Sequence, residues 1–114
     1  MKLALVLAVA AALLAVPTVS AAGGTLQGTV GPGFSITLKQ GGKKVSSLKA
    51  GTYRIVVDDK SNIHDFHLTG PGVNKTTTVG GTGTKTWTVT LKKGKYTYVC
   101  DPHAAVMKGS FTVT

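Results

Sequence analysis

The 114-residue chain has one cysteine, one arginine and four acidic residues. The lone thiol, Cys100, permits no intrachain disulfide, so packing alone must hold the fold. An unpaired thiol needs an explanation of its own, the more so if the chain meets oxidants outside the cell. The single Arg54 argues against sequence-specific nucleic-acid reading, which leans on forked guanidinium contacts. With four acidic residues and no Ser/His/Asp set, the chain is not expected to be an enzyme. There is no helical period, no internal repeat, no low-complexity tail and no room for a second domain.

The longest apolar run, residues 3–16, is also too short to span a bilayer comfortably, which takes about 20 residues. It follows Lys2, precedes Pro17 and leads to the small residues Val19-Ser20-Ala21. This is the layout of a secretory signal over residues 1–22. The expected mature domain is 23–114, exported to the periplasm, cell envelope or outside, with no integral membrane segment. Without Lys2, eleven lysines and Arg54 face four acidic residues. Such a surface keeps a protein soluble and can steer it toward an acidic partner.

What is present is a β composition: Thr and Val dominate, and Gly and Pro punctuate. Leu26 to Val30, Phe34 to Leu38, Tyr53 to Val57, Ile63 to Leu68, Thr86 to Leu91, Tyr96 to Cys100 and Ser110 to Thr114 read as strands. Thr76 to Val79 reads as a short edge strand. Seven or eight short strands at this spacing predict an all-β antiparallel sandwich or barrel.

Four residues carry chemistry: His64, Cys100, His103 and Met107. Each alone is ordinary. An inward histidine is usually a hydrogen-bonded core residue, a buried cysteine a small hydrophobe, and a methionine packing. Together they are not ordinary. Thiolate, imidazole and thioether fall within eight residues, in Cys100-Asp101-Pro102-His103-Ala104-Ala105-Val106-Met107, between the last two strands. Strand parity turns 64, 66 and 68 inward, so a second imidazole faces the core, while Asp65 and His67 face the other way. Soft sulfur with imidazole favours copper over zinc, whose structural sites use more cysteines and rarely Met. His67 reads as a surface residue or a support to the site.

These residues resemble the cupredoxins, the small blue copper proteins of the plastocyanin, amicyanin, pseudoazurin and azurin type. The similarity is strongest over Gly94 to His103 and Met107 to Val113, with a further match at Ser61-Asn62-Ile63-His64-Asp65-Phe66. The resemblance implies a Greek-key β-sandwich, a trigonal set of His64, Cys100 and His103, a weak axial Met107, and one-electron transfer by a single Cu(I)/Cu(II) ion. It implies redox protein partners met at an apolar rim of Pro102, Ala104, Ala105 and Val106, joined by Gly31-Pro32-Gly33 and Ile63. The lysines outside that rim point to an acidic docking surface on the partner, and the chain is expected to be a monomer. Copper delivery is the alternative use of the same ligands, and a metal-free interaction module a more distant one. Three positions depart from the plastocyanin pattern. Three residues separate His103 from Met107 rather than four. Asp65 replaces the Asn that ties the ligand loops together, and its charge favours Cu(II). Val99 replaces the Tyr before the cysteine.

Overall fold

The computed structural model describes residues 21–114; the signal segment proposed from the sequence lies almost wholly outside them. Ten strands form two five-stranded sheets. In chain order they are β1 (Thr25–Val30), β2 (Ile36–Gln40), β3 (Lys43–Lys44), β4 (Ser47–Leu48), β5 (Gly51–Asp59), β6 (His67–Gly70), β7 (Val73–Thr76), β8 (Gly83–Leu91), β9 (Gly94–Val99) and β10 (Lys108–Val113). One sheet runs β3-β2-β1-β5-β8 and the other β4-β10-β9-β6-β7. A single 3₁₀ turn, Asp101–His103, follows β9.

The all-β sandwich is the one the sequence anticipates, with eight expected strands and two more. The additions, β3 and β4, are two residues long, too short to show an alternating pattern. The pairing is not purely antiparallel as expected. β1 pairs with β5, and β10 with β4, in parallel. The chain reaches those neighbours by crossing from sheet to sheet, and alternation reports which face a residue takes but not which strand lies beside it.

Alternating burial builds the core. Leu26 and Val30 of β1, Tyr53, Ile55 and Val57 of β5, and Val89 and Leu91 of β8 come from one sheet. Leu68, Tyr96, Tyr98, Phe111 and Val113 come from the other. Phe66 lies parallel to Tyr98 with ring centroids 5.6 Å apart, and Tyr96 stacks on Phe111 at 5.3 Å. Offset aromatic pairs of this kind add to the area they bury. Two glycines make room for the tyrosine rings. A Cβ at Gly70 would run into the Tyr96 ring, and one at Gly109 into the Tyr98 ring and hydroxyl.

Three segments differ from the sequence expectation. Phe34 is not in a strand: β2 begins at Ile36, and the Phe34 ring is 65% exposed. The Gly31-Pro32-Gly33 turn delays the strand and sends that ring outward. Residues 63–66 are also irregular. His64 and Phe66 are buried as parity predicts, but Asp65 between them is buried too and does not face solvent. The edge strand assigned to 76–79 is instead β7, Val73–Thr76. Thr77 leaves the ladder to exchange hydrogen bonds with Phe66, through Thr77 N to Phe66 O and Phe66 N to Thr77 Oγ1.

Gly109→Ala is expected to lose about 1–3 kcal/mol, the usual range for overpacking a filled core. Gly33→Ala, where a Cβ meets nothing within 4 Å, should stay within about 0.5 kcal/mol of wild type. Chemical denaturation of the two variants side by side measures this, and equal midpoints would refute the packing role of Gly109.

Candidate metal centre

β9 and β10 pair as far as Val99 and Lys108. One more rung follows, from Cys100 N to Met107 O at 3.0 Å, and it closes the intervening loop. Inside the loop His103 N donates to Cys100 O, while Val106 N and Met107 N both donate to His103 O. The loop therefore satisfies much of its own backbone, as a segment at the edge of a core must. Cys100 and Met107 are fully buried and His103 is half-buried.

His64 comes from the turn after β5. Lys60 N donates to Val30 O, Ser61 N to the Asp59 carboxylate at 3.1 Å, and His64 N to Ser61 O. The Thr77–Phe66 exchange holds the far side of this turn. His64 is fully buried, as parity at its own position predicts.

The two loops bring three donor atoms together. His64 Nδ1 and His103 Nδ1 are 3.1 Å apart. Cys100 Sγ lies 3.6 Å from the first and 3.5 Å from the second. A point in that plane equidistant from all three is about 2.0 Å from each, close to the bond lengths imidazole nitrogen and thiolate make to a first-row metal. Two nitrogens and a sulfur at this spacing fit a copper-sized cation. Burial pushes the Cys100 thiol above its ordinary value, while the backbone N–H groups of Asp65 and His103 oppose that shift. A bound metal ion would take the place of the proton.

Phe34, which the sequence reading put in a strand, covers the imidazoles. Its ring meets His64 edge-on at 5.6 Å and His103 at 5.0 Å. With Ile63 at 51% and Val106 at 70% exposure it makes an apolar surface beside the centre. The signal that could have found it is the Gly31-Pro32-Gly33 turn immediately before it.

Asp65 does tie the ligand loops together: its Oδ1 accepts the Asp101 backbone N–H, and its Oδ2 accepts from Thr76 Oγ1 at 3.4 Å. Burial, reinforced by the neighbouring Asp101 carboxyl, raises its pKa. His67 is not in the donor triangle. Its Nδ1 donates to Asp101 Oδ2 at 2.9 Å and its Nε2 to Asn74 Oδ1 at 2.6 Å. Asp65, His67 and Asp101 thus form a second cluster against the first, in which the β6–β7 hairpin grips the loop at Asp101.

Both ring nitrogens of His67 face acceptors, so the protonated ring fits best. Burial works against the charge, but Asn74 and Asp101 outweigh it and raise the pKa. A histidine raised on folding contributes stability that is complete below its unfolded value, about 6.5, and is lost as pH rises through the higher folded value. The Asp101 carboxyl is lowered, chiefly by its hydrogen bond with Asp65, so its share is lost only in acid. Wild type should therefore exceed His67→Gln by about 1 kcal/mol or less at pH 6, since the pair is partly exposed. The gap should shrink by pH 9. Urea melts at the two pH values test this, and a gap that widens with pH would contradict it.

A sequence profile of copper binding proteins of the plastocyanin/azurin family matches residues 29–114. Among solved structures, reduced rusticyanin superposes with a TM-score of 0.59 at 22% identity, covering 81% of this chain and 80% of that one. Rusticyanin from Thiobacillus ferrooxidans gives 0.56 at 22% identity over 81% and 78%. At this identity the likeness speaks for the fold. No curated protein matches the sequence. The profile spans the three donors, Met107 and nearly the whole described domain, and by it this chain belongs to the plastocyanin/azurin family of copper binding proteins.

Proposed function

We propose that this protein is an exported one-electron carrier in which His64, Cys100 and His103 hold a single copper ion with Met107 as the weak axial ligand. The observation that carries this reading is the donor triangle, with sides of 3.1 to 3.6 Å, set beside an exposed apolar face. Copper supplies a one-electron couple, and a site fixed between the preferences of its two oxidation states reorganises little.

The chain's own residues supply the rest. The closed loop holds Cys100 and Met107 in the core, out of water. Pro102 has no N–H to offer the sulfur, while the amides of Asp65 and His103 act against the burial that raises the Cys100 thiol. His103 reaches the surface under Phe34, and Ile63 and Val106 flank it. An apolar face over a ligand ring suits brief contact with a partner, and the surrounding lysines favour a partner with an acidic surface. Export follows from the signal-like residues 1–22, and the cleaved chain works as a monomer. The buried donors favour a retained redox ion over a cargo that must exchange rapidly.

Mature protein loaded with Cu(II) is expected to show an intense visible band from sulfur-to-copper charge transfer. Cys100→Ser should abolish it, while His67→Gln should keep it. A colourless cupric wild type would refute the reading.

Salt separates the steering from the centre. The rate of reduction by a negatively charged protein partner should fall as ionic strength rises from about 0.01 to 0.15 M, where the Debye length contracts from about 30 to 8 Å. A stopped-flow rate independent of salt would remove the acidic-partner proposal and leave the copper reading standing.

A further inference from the structure

The charges of the domain are not spread evenly. All four acidic residues, Asp58, Asp59, Asp65 and Asp101, fall at the end of β5 or next to a proposed donor. Strands β2, β3, β9 and β10 carry none, but they carry Lys39, Lys43, Lys44, Lys95 and Lys108. Among the described residues the only lysine in an ion pair is Lys60, with Asp58 at 4.0 Å. Three of the others meet at one groove. About 500 Å³ of open space on the outer face of β9 and β10 is lined by Lys44, Lys95 and Lys108 together with Thr97 and Ser110. A smaller cavity of about 170 Å³ shares Lys44 and Lys108 with it and reaches inward to Ile36 and Tyr98.

One wall of the groove is a strand edge with backbone to spare. β10 pairs with β9 along its whole length, but with β4 only at Thr112 and Val113. Thr112 N donates to Ser46 O on the β4 side at 3.1 Å. The direction of the N–H and C=O groups alternates along a strand, so Ser110 and Lys108 aim theirs to that same side. Among the described residues no strand pairs with them there. An open edge is a template for another extended chain. The lysines along it repel a second copy of this basic chain and favour a segment of opposite charge.

We propose that this edge docks an extended acidic segment of a protein partner, added beside Lys108 and Ser110 in line with β4, with its carboxylates among Lys44, Lys95 and Lys108. Strand addition of this kind takes affinity from main-chain hydrogen bonds and specificity from alternate side chains. One face of the added segment meets the lysines. The other meets the cavity at Ile36 and Tyr98, which suits an apolar side chain. A polypeptide fits better than a nucleic acid, because the edge offers backbone donors and acceptors at strand spacing and the one arginine, Arg54, stands away on β5. The proposal rests on the acidic-partner reading and gives that partner a place. Phe34, Ile63 and Val106 line neither cavity. A partner held by its acidic segment therefore leaves the apolar face free for its redox group.

The probe is a short synthetic peptide alternating Glu and Val, titrated into the ¹⁵N-labelled mature chain kept reduced, so that any bound copper is diamagnetic. The amides of Lys108 and Ser110 should shift, and with free peptide at about ten times Kd their hydrogen exchange should slow about tenfold. Gly109 and Phe111, whose amides face β9, should exchange as before. The double variant Lys44→Glu, Lys95→Glu should bind about tenfold more weakly. Lys75→Glu with Lys85→Glu, on β7 and β8 at the opposite edges, makes the same change in net charge and should stay within about twofold of wild type. Ser110→Pro removes an outward N–H, a change that a strand edge tolerates, and should abolish the slowing at Lys108 with every lysine in place. If that variant fails to fold, exchange in the wild type decides. Absent binding, unchanged exchange at Lys108 and Ser110, shifts confined to Phe34 and Val106, or equal weakening by both double variants overturns the proposal. So does a single-stranded oligothymidylate that displaces the peptide at equal concentration. Such a failure leaves the salt dependence of partner reduction and the copper band to be judged on their own.

Discussion

The metal end of this protein hangs on one backbone hydrogen bond, from Cys100 N to Met107 O. It is the last rung of the β9–β10 ladder and the neck of the loop beyond it. Above the rung, the His103 carbonyl gathers two N–H groups and turns the chain tightly enough for a histidine three residues after the cysteine to come back over it. Below it Tyr98 stacks on Phe66 and leans across Gly109. Cys100 and Met107 thus inherit the rigidity of the two strands, although neither belongs to a strand itself.

The second requirement is that polar atoms survive inside an apolar end. Burial raises the pKa of the Cys100 thiol, the Asp65 carboxyl and the Asp59 carboxyl alike. Each charge that forms there must be answered by a partner. Backbone amides answer Cys100, the Asp101 amide and Thr76 answer Asp65, and the Ser61 amide answers Asp59. The same enclosure accounts for the solitary cysteine. A thiolate bound to metal beneath a closed loop is shielded from the oxidation that threatens a free thiol.

How much of this was legible in the sequence follows from what periodicity encodes. Alternation marks the inner faces of β8, β9 and β10, where Val89 and Leu91, Tyr96 and Tyr98, and Phe111 and Val113 fall two apart and are buried, because those strands have core on one side and solvent on the other. It also turned His64 inward. It failed at Phe34 and Asp65, where the backbone is irregular and long-range contacts decide: a loop from the far end of the chain covers Asp65, and two imidazoles receive Phe34. The donor set stood out because thiolate, imidazole and thioether so close in sequence have few other uses. The grip of His67 on Asp101 had no local signature, since its two acceptors come from positions 74 and 101. The parallel neighbours of β1 and β10 were equally silent, for pairing across a crossover leaves no mark on either strand's own pattern.

Phe34 reaches the centre from a segment that supplies no donor atom. It lies in the turn between β1 and β2 of one sheet, while Cys100 and His103 follow β9 of the other. Part of the outer face is thus written apart from the donors, while Ile63 and Val106 come with them. A change at Phe34 can alter that face without replacing a donor atom.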